Sequence, residues 1–134
     1  MEKTRHGSCH CGAVRFAAEL DLREETSRCN CSVCTKGRFW KSVVPESDFR
    51  LLAGADALTE YRFGSGTIVH LFCRNCGIKP FGRGHLEELG GTFYAINVAC
   101  LDDVPGEELA AIPVKFEDGR HDAWERPPRH TAHL

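Results

Sequence analysis

Short segments rich in β-branched, aromatic and other apolar residues recur along the chain, and turn-forming residues bound them. TIVHLFC (67 to 73) follows two closely spaced glycines, and TFYAINVA (92 to 99) follows a Gly-Gly pair. Short apolar segments between turn signals are typical of antiparallel sheets. We therefore predict a mostly-β fold. Its predicted strands are 13 to 20, 39 to 44, 49 to 53, 58 to 63, 67 to 73, 78 to 82, 92 to 99 and 114 to 118.

Only PGEELAAI (105 to 112) predicts a helix of note, because its proline suits an opening turn. The segment is short, so we expect a peripheral helix. Residues 121 to 134 have no period and contain two adjacent prolines, which predicts a partly extended, partly mobile tail with Trp124 as its anchor. No linker divides the chain, and we predict a single domain over 1 to 134.

The size and charge of the chain narrow the classes of function. A chain of 134 residues has the size of one domain. Its 17 basic and 19 acidic residues are interspersed, with a formal net charge of -2, so no field of one sign indicates nucleic acid or an anionic membrane. The start, MEKTRHGSCHCG, lacks the apolar segment of a signal peptide, and no apolar run approaches the roughly 20 residues that cross a bilayer. We predict a cytoplasmic protein.

The 8 cysteines change the picture most, because all but one lie in tight clusters. In a reducing compartment such a pattern favours metal binding or catalysis over disulfides. Cysteines one or two residues apart would close small, strained rings on oxidation, whereas they chelate one metal ion readily. We interpret the clusters as zinc sites. The cysteines are Cys9, Cys11, Cys29, Cys31, Cys34, Cys73, Cys76 and Cys100.

Two of the clusters, GSCHCG (7 to 12) and FCRNCG (72 to 77), are predicted to share one zinc ion. Two sulfurs on the same zinc lie at most about 4.6 Å apart, so the chain must curl at each pair, and the glycines beside them permit this. Each turn supplies half of a tetrahedral site. We expect Cys9, Cys11, Cys73 and Cys76 to form a closed structural site that fastens the two ends of the β core.

The remaining cysteine motif, RCNCSVCTKG (28 to 37), has only three cysteines, and the chemistry of its metal site depends on the fourth ligand. If Cys29, Cys31 and Cys34 hold zinc alone, one position stays open for water or a substrate atom, as in catalytic sites. If Cys100 or a histidine completes the set, the site is closed and structural. The candidate histidines are His6, His10, His70 and His85.

An open site would favour the thiolate form of a bound thiol, and a thiolate is a nucleophile towards a small carbonyl carbon. Basic residues near the clusters are candidates to receive the carboxylates of a thiol peptide. They are Arg28, Lys36, Arg38, Lys41, Lys79, Arg83 and His85. Four aromatic residues are candidates to wall the site: Phe39, Trp40, Phe72 and Phe81.

Several segments together resemble the glutathione-dependent formaldehyde-activating enzyme family in order and spacing, from about residue 5 to 125. They are GSCHCGAVRF, CNCSVCTK followed by FW, EYRFGSG, HLFCRNCGIKPFGRG and INVACLDD. The cysteine pattern CxC, CxCxxC, CxxC is the most specific part of this resemblance.

The resemblance implies a β-tent of antiparallel sheets pinned by zinc. It implies that Cys9, Cys11, Cys73 and Cys76 are structural zinc ligands, and that Cys29, Cys31 and Cys34 form a second, catalytic zinc site. The implied activity is that of a carbon–sulfur lyase, or its reverse, which forms S-hydroxymethylglutathione from glutathione and formaldehyde. The alternative is a non-catalytic, zinc-stabilised binding module with both zinc sites closed.

Overall fold

Two β-sheets build the protein in the computed structural model, which describes residues 2–134. The smaller sheet has the order β1-β2-β5, and the larger has the order β10-β3-β4-β9-β8-β7-β6. The strands are β1 (Lys3–Ser8), β2 (Arg15–Leu20), β3 (Thr26–Cys29), β4 (Trp40–Pro45), β5 (Phe49–Ala53), β6 (Leu58–Tyr61), β7 (Val69–Cys73), β8 (Phe81–Leu86), β9 (Gly91–Asn97) and β10 (Val114–Glu117).

The predicted mostly-β class is confirmed, and each of the predicted strands overlaps an observed one. Two strands were missed. β1 reads KTRHGS and β3 reads TSRC, so neither has an apolar face that a sequence pattern reveals. β1 is ordered by pairing with β2 along its whole length, and its Arg5 is buried and bonded to Glu108 at 2.6 Å.

One strand pair departs from the antiparallel pattern. β10 runs parallel to β3, with Val114 opposite Thr26 and Glu117 opposite Cys29. A parallel pair needs a long crossover connection, and here most of the chain lies between the two strands. The end of the chain is thereby placed beside the cysteine cluster that begins at Cys29.

The core lies between the two sheets. Phe16 of β2 meets the edge of Phe81 of β8 at a ring-centroid distance of 5.7 Å, and Phe49 of β5 stacks on Tyr94 of β9 at 3.9 Å. Phe16 and Phe81 are 0% and 2% exposed. Edge-to-face and stacked aromatic pairs add about 0.5–1.5 kcal/mol each beyond their area burial. Aromatic packing therefore holds the two sheets together.

The helices are short and peripheral, as expected. α1 (Ser32–Gly37) follows β3, and α2 (Gly106–Ala111) lies within the predicted helix 105 to 112. No helix among residues 2–134 has the length and apolar character needed to span a membrane.

The tail beyond β10 contains a turn at Gly119–His121 and a bridge between Asp118 and Ala123. Its buried residues are Asp118, Ala123, Pro128 and Leu134. Trp124, the predicted anchor, is 45% exposed, because one side of its ring lies over Gly119 while the other faces solvent.

Candidate metal centre

The first cysteine cluster joins the two sheets. Cys9 and Cys11 lie in the turn between β1 and β2 of the smaller sheet, whereas Cys73 ends β7 of the larger sheet and Cys76 lies in the turn that follows. The sulfurs of Cys11 and Cys73, 62 residues apart in the chain, are 3.6 Å from each other. The predicted pairing of the two motifs is thus what the fold produces.

The sulfur positions of this first cluster fit a tetrahedral metal site. The four ligand atoms all lie within 4.8 Å of one another, and the Cys9 and Cys11 sulfurs are 3.6 Å apart. A tetrahedron with zinc–sulfur bonds of about 2.3 Å has edges of about 3.8 Å. Four soft thiolate donors at this spacing suit zinc. The residues present therefore fit the ion that the sequence predicts.

The backbone around the first cluster is shaped to support thiolates. The Val14 N–H points at the Cys9 sulfur at 3.3 Å, and the Asn75 N–H points at the Cys73 sulfur at 3.4 Å. Backbone hydrogen bonds, that of Ile78 first, lower the pKa of Cys76 to about 6. Gly12 (φ 81°) and Gly77 (φ 79°) end the two turns in the left-handed region that other residues avoid.

Gly7 serves a different purpose from the curl predicted for it. It lies inside β1, opposite Phe16, and its φ is not in the left-handed region. A Cβ at this position would collide with the Phe16 ring and come 2.8 Å from the Cys100 carbonyl oxygen. Gly7 therefore allows the smaller sheet to approach the core closely.

The second cysteine cluster is built from one short stretch. Cys29 ends β3, Cys31 is the N-cap of α1, and Cys34 lies inside that helix. The predicted helical turn in CSVC is therefore present. Arg38 ends the helix in the left-handed conformation (φ 52°), and its backbone N–H bonds to the carbonyl oxygens of Cys34 and Thr35. This sharp end brings Phe39 directly after the cluster.

Three thiols make up this second cluster, and residues 2–134 supply no fourth ligand. The sulfurs of Cys29, Cys31 and Cys34 lie within 4.8 Å of one another, and no further Cys, His, Asp or Glu among residues 2–134 joins them. The Cys31 N–H contacts the Cys29 sulfur at 3.4 Å. The set fits a soft metal ion such as zinc with one coordination position not taken by the chain.

Cys100, the competing fourth ligand, lies beside the first cluster instead. It lines one cavity with Cys9 and His10, and its sulfur is directed at the Lys79 carbonyl oxygen at 3.9 Å. Burial first, and then the charges of Asp102, Cys9 and Cys76, raise the pKa of Cys100 to about 12. The structure therefore makes Cys100 a buried neutral thiol that does not close the second cluster.

The candidate histidines are also bound up elsewhere. His6 contacts Asp103 at 3.0 Å, His85 contacts Thr92 at 3.1 Å, and His10 lines the cavity beside Cys9. His70 contacts the Lys79 ammonium at 2.6 Å. None of the four is in either group of potential ligands.

The electrostatics of the second cluster favour a cation. Hydrogen bonds from Cys29 and then Cys34 hold the pKa of the Cys31 thiol well below its usual range. The same contacts, of Cys29 first and then Cys31, together with burial, hold the pKa of Cys34 far above its usual range. One sulfur thus ionises readily while another keeps its proton. A metal ion is what would allow all three to be thiolates.

Residues near the end of the chain brace the second cluster, and sequence reasoning missed them. Asn30, between two of the cysteines, is buried and donates to Asp118 at 2.8 Å, while its side-chain oxygen accepts from the Arg120 N–H at 2.9 Å. A Cβ on Gly119 would lie 2.5 Å from the Cys29 sulfur. The Asp118-Gly119 dipeptide signals a turn, but its contact with the cluster depends on the pairing of β10 with β3.

The two cysteine clusters and their spacing match a known family model. The model for the glutathione-dependent formaldehyde-activating enzyme matches residues 4–116, which include every cysteine of both clusters. The chain belongs to the glutathione-dependent formaldehyde-activating enzyme family. The resemblance seen in the sequence motifs is therefore confirmed.

The chain is similar to a curated protein and to a solved structure. A curated protein of Halomonas elongata, named "Putative glutathione-dependent formaldehyde-activating enzyme", is 35% identical over 60 residues, which is 42% of this chain and 38% of that protein. The match thus spans well under half the length of that relative. A crystal structure of a Rhodobacter sphaeroides protein is 36% identical, has a TM-score of 0.69, and covers 82% of this chain and 99% of that one.

The predicted cationic residues divide into those that lie near the second cluster and those that pair with acidic residues elsewhere. Arg28 lies over the Trp40 ring at 5.0 Å, and the charge of Arg38, after burial, lowers the pKa of Arg28. Lys41 forms an ion pair with Glu117 at 2.6 Å, and its charge also helps to lower the pKa of the Cys31 thiol. Lys36 lies in the last turn of α1. Arg83 and His85 pair instead with acidic partners, Glu60 at 3.8 Å and Glu87 at 3.6 Å.

Of the aromatic residues predicted to wall the site, Phe39 and Trp40 follow the second cluster in the chain, whereas Phe81 lies elsewhere. Phe39 is 6% exposed, and the Lys79 ammonium lies 3.9 Å from its ring centroid. Trp40 is half-buried and donates to the Thr26 hydroxyl at 2.7 Å. Phe81 belongs to the aromatic core between the sheets rather than to a site wall. From the sequence, a position shortly after the Cys76 turn was compatible with the site wall as well as with the core.

Proposed function

We propose that this protein is a zinc-dependent carbon–sulfur lyase that forms or cleaves a thiol adduct of a small aldehyde. The adduct to test first is S-hydroxymethylglutathione, made from glutathione and formaldehyde. The observation that supports this proposal is the second cysteine cluster, which has three thiols and no fourth ligand among residues 2–134. Membership of the family supports the choice of thiol and aldehyde.

The proposed metal ligands are divided between two roles. Cys9, Cys11, Cys73 and Cys76 would hold a structural zinc ion, and Cys29, Cys31 and Cys34 would hold a catalytic one. Zinc held by three thiolates would supply a Lewis-acid position that favours the ionised form of a substrate thiol near neutral pH.

The side chains around the second cluster would orient a peptide that carries carboxylates. Arg28 is half-buried against Trp40 and has no carboxylate partner among residues 2–134. The Arg38 side chain has one hydrogen bond within the same residues, which it donates to the Leu134 carbonyl oxygen at 3.4 Å. Arginine binds carboxylates through two parallel hydrogen bonds, which fixes orientation as well as affinity. We assign these two arginines to the carboxylates of glutathione.

The alternative, a binding module with both metal sites closed, requires a fourth ligand at the second cluster. Cys100 and the candidate histidines lie in other contacts. We therefore retain the open site as the basis of the proposal.

Exchange NMR tests the proposal directly. Protein with a measured zinc content is added to ¹³C-formaldehyde and glutathione at equilibrium, and the interconversion rate of formaldehyde and adduct is measured from exchange cross-peaks. We expect the rate to rise in proportion to the protein concentration. Cys34→Ala is the matched control, and we expect it to lose the acceleration. Fully zinc-loaded protein that leaves the spontaneous rate unchanged would exclude this reaction.

A further inference from the structure

Lys79 follows the last cysteine of the first cluster in the chain, and its ammonium group lies near the second cluster. It follows the turn of Cys76, and its backbone carbonyl accepts from the Asn97 side chain at 2.9 Å. Its ammonium group lies 3.9 Å from the centre of the Phe39 ring, next to the end of α1. Negative charge on Cys34 or Cys31 raises the pKa of this ammonium, so the group lies within electrostatic reach of the second cluster. The side chain is therefore directed at the region where the second cluster leaves a ligand position to the substrate.

The Lys79 ammonium is short of acceptors. Its one hydrogen bond to a described residue is with the Nδ1 atom of His70, at 2.6 Å. It makes no ion pair with a carboxylate among residues 2–134. An ammonium group has three donors, so two of them have no protein acceptor there. Burial lowers the pKa of Lys79 to about 8, with the Lys41 charge adding to the effect, so most of the group stays charged at pH 7.

His70 holds this ammonium in place. It is 7% exposed, and its ring stacks with Phe63 at 5.5 Å. Burial, and then the Lys79 charge, lower the pKa of His70 to about 4, so the ring is neutral at pH 7 and its Nδ1 accepts from Lys79. The proton then resides on Nε2, which is buried and has no hydrogen-bond partner among residues 2–134. The contact with Lys79 is therefore the one hydrogen bond that the His70 ring makes among residues 2–134.

We propose that Lys79, oriented by His70, binds the aldehyde oxygen of the adduct at the second cluster. This inference rests on the proposed lyase function. In the forward direction the thiolate sulfur bonds to the carbonyl carbon, and the π electron pair of the C=O bond moves to the oxygen. That oxygen accepts a hydrogen bond from the Lys79 ammonium and takes one proton from water, which balances the proton released when the thiol ionised. Cleavage is the same sequence reversed.

The magnitude of this contribution follows from the kind of interaction. A donor aimed at the atom where negative charge develops contributes about 10²- to 10³-fold in kcat. Lys79→Met keeps the length of the side chain and removes every donor, so we expect kcat to fall about 10²-fold. We expect the KM for glutathione to change less than twofold, because the carboxylates of glutathione bind elsewhere.

The His70 variants separate positioning from packing. His70→Leu removes the acceptor, and we expect a smaller loss in kcat, about tenfold, by misplacing the ammonium. His70→Asn places an amide oxygen near the original Nδ1 and should recover most of that loss. In Lys79→Met, adding His70→Leu should cost nothing further in kcat, since the two act as a unit. Lys3→Met, at an exposed site in β1, is the matched control and should retain wild-type rates.

The experiment combines exchange NMR with two measurements that do not depend on turnover. Zinc content and thermal unfolding show that each variant is loaded and folded, and ¹⁵N spectra of labelled histidine identify the protonated nitrogen of His70. We expect the Nε2–H form in the wild type, with a shifted Nδ1 resonance in Lys79→Met. Zinc-loaded Lys79→Met with wild-type kcat would overturn the inference while leaving the lyase function intact. A proton on Nδ1 would overturn the pairing, and an inactive wild type would overturn the lyase function and with it this inference.

Discussion

The two cysteine clusters use similar residues in opposite ways. The first brings together cysteines from two sheets, with Cys11 and Cys73 lying 62 positions apart in the chain, whereas the second takes all three cysteines from one stretch of six residues. A metal ion that closes a long loop contributes to folding, because it removes chain entropy from the unfolded state. A metal ion bound by a local stretch contributes little to the fold. This difference is why we propose a structural role for the first cluster and a catalytic role for the second.

The largest expected effect is the contrast between Cys73→Ala and Cys34→Ala. Cys73 is fully buried and belongs to the cluster that joins the two sheets. Structural zinc contributes about 10–16 kcal/mol of apparent binding free energy, which is comparable with the roughly 5–15 kcal/mol that stabilises a whole domain. We expect Cys73→Ala to be unfolded, and Cys34→Ala to stay folded with about half the zinc. Circular dichroism and zinc analysis measure this. Equal loss of fold in both variants would show that the second cluster is structural as well.

Removal of metal by a chelator should separate the clusters in time. Three ligands hold zinc less firmly than four, and Cys31 and Cys34 are partly exposed, so the second cluster should release its ion first. We expect one equivalent of zinc to leave without loss of β signal, and the second to leave together with the fold. A metal indicator and circular dichroism, recorded on the same sample, report the two events. A single concerted release would contradict the separation of roles.

A smaller effect is expected at the contact between the chain's end and the second cluster. The Cβ of Gly119→Ala would lie 2.5 Å from both the Cys29 sulfur and the Trp124 ring, so the cluster or the tail must shift. Overpacking of this kind costs about 1–3 kcal/mol. We expect lower zinc affinity at the second cluster, with the first unaffected. Gly106→Ala, with no atom within 4 Å of the added Cβ, is the control, and a matching effect there would refute a local cause.

The smallest effect concerns pH and His70, a buried residue of β7. The pKa of His70 is about 4 in the folded protein, below its usual 6.5, so the unfolded chain binds the proton first as the pH falls. The stability contributed by the neutral ring is therefore present above pH 6.5 and is lost as the pH falls towards 4, with a loss of about 2 kcal/mol already at pH 5. His70→Asn cannot titrate in this range. Urea unfolding at pH 7, 6 and 5 should show wild-type stability falling faster than that of the variant, and parallel curves would contradict a dry His70.

The strands of this protein were predictable to the extent that they carry apolar side chains. β5 was placed at its observed bounds, since FRLLA lies between turn residues. β1 and β3 escaped prediction because their residues are largely polar and become ordered only when a neighbouring strand pairs with them. The assignment of Phe81 to the site wall was wrong for a related reason: the environment of Phe81 depends on which sheet covers its strand.

The sequence by itself determined the mostly-β class and the cysteine motifs, but it left open whether Cys100 or a histidine joins the second cluster. Cysteines one or two residues apart chelate through local backbone geometry, which neighbouring residues set, so spacing alone was informative. Only the tertiary structure decided that Cys100 lies beside the first cluster, that Asn30 and Gly119 support the second, and that Lys79 faces it with His70 behind. These contacts join residues far apart in the chain, and they form only when the sheets pack and β10 pairs with β3.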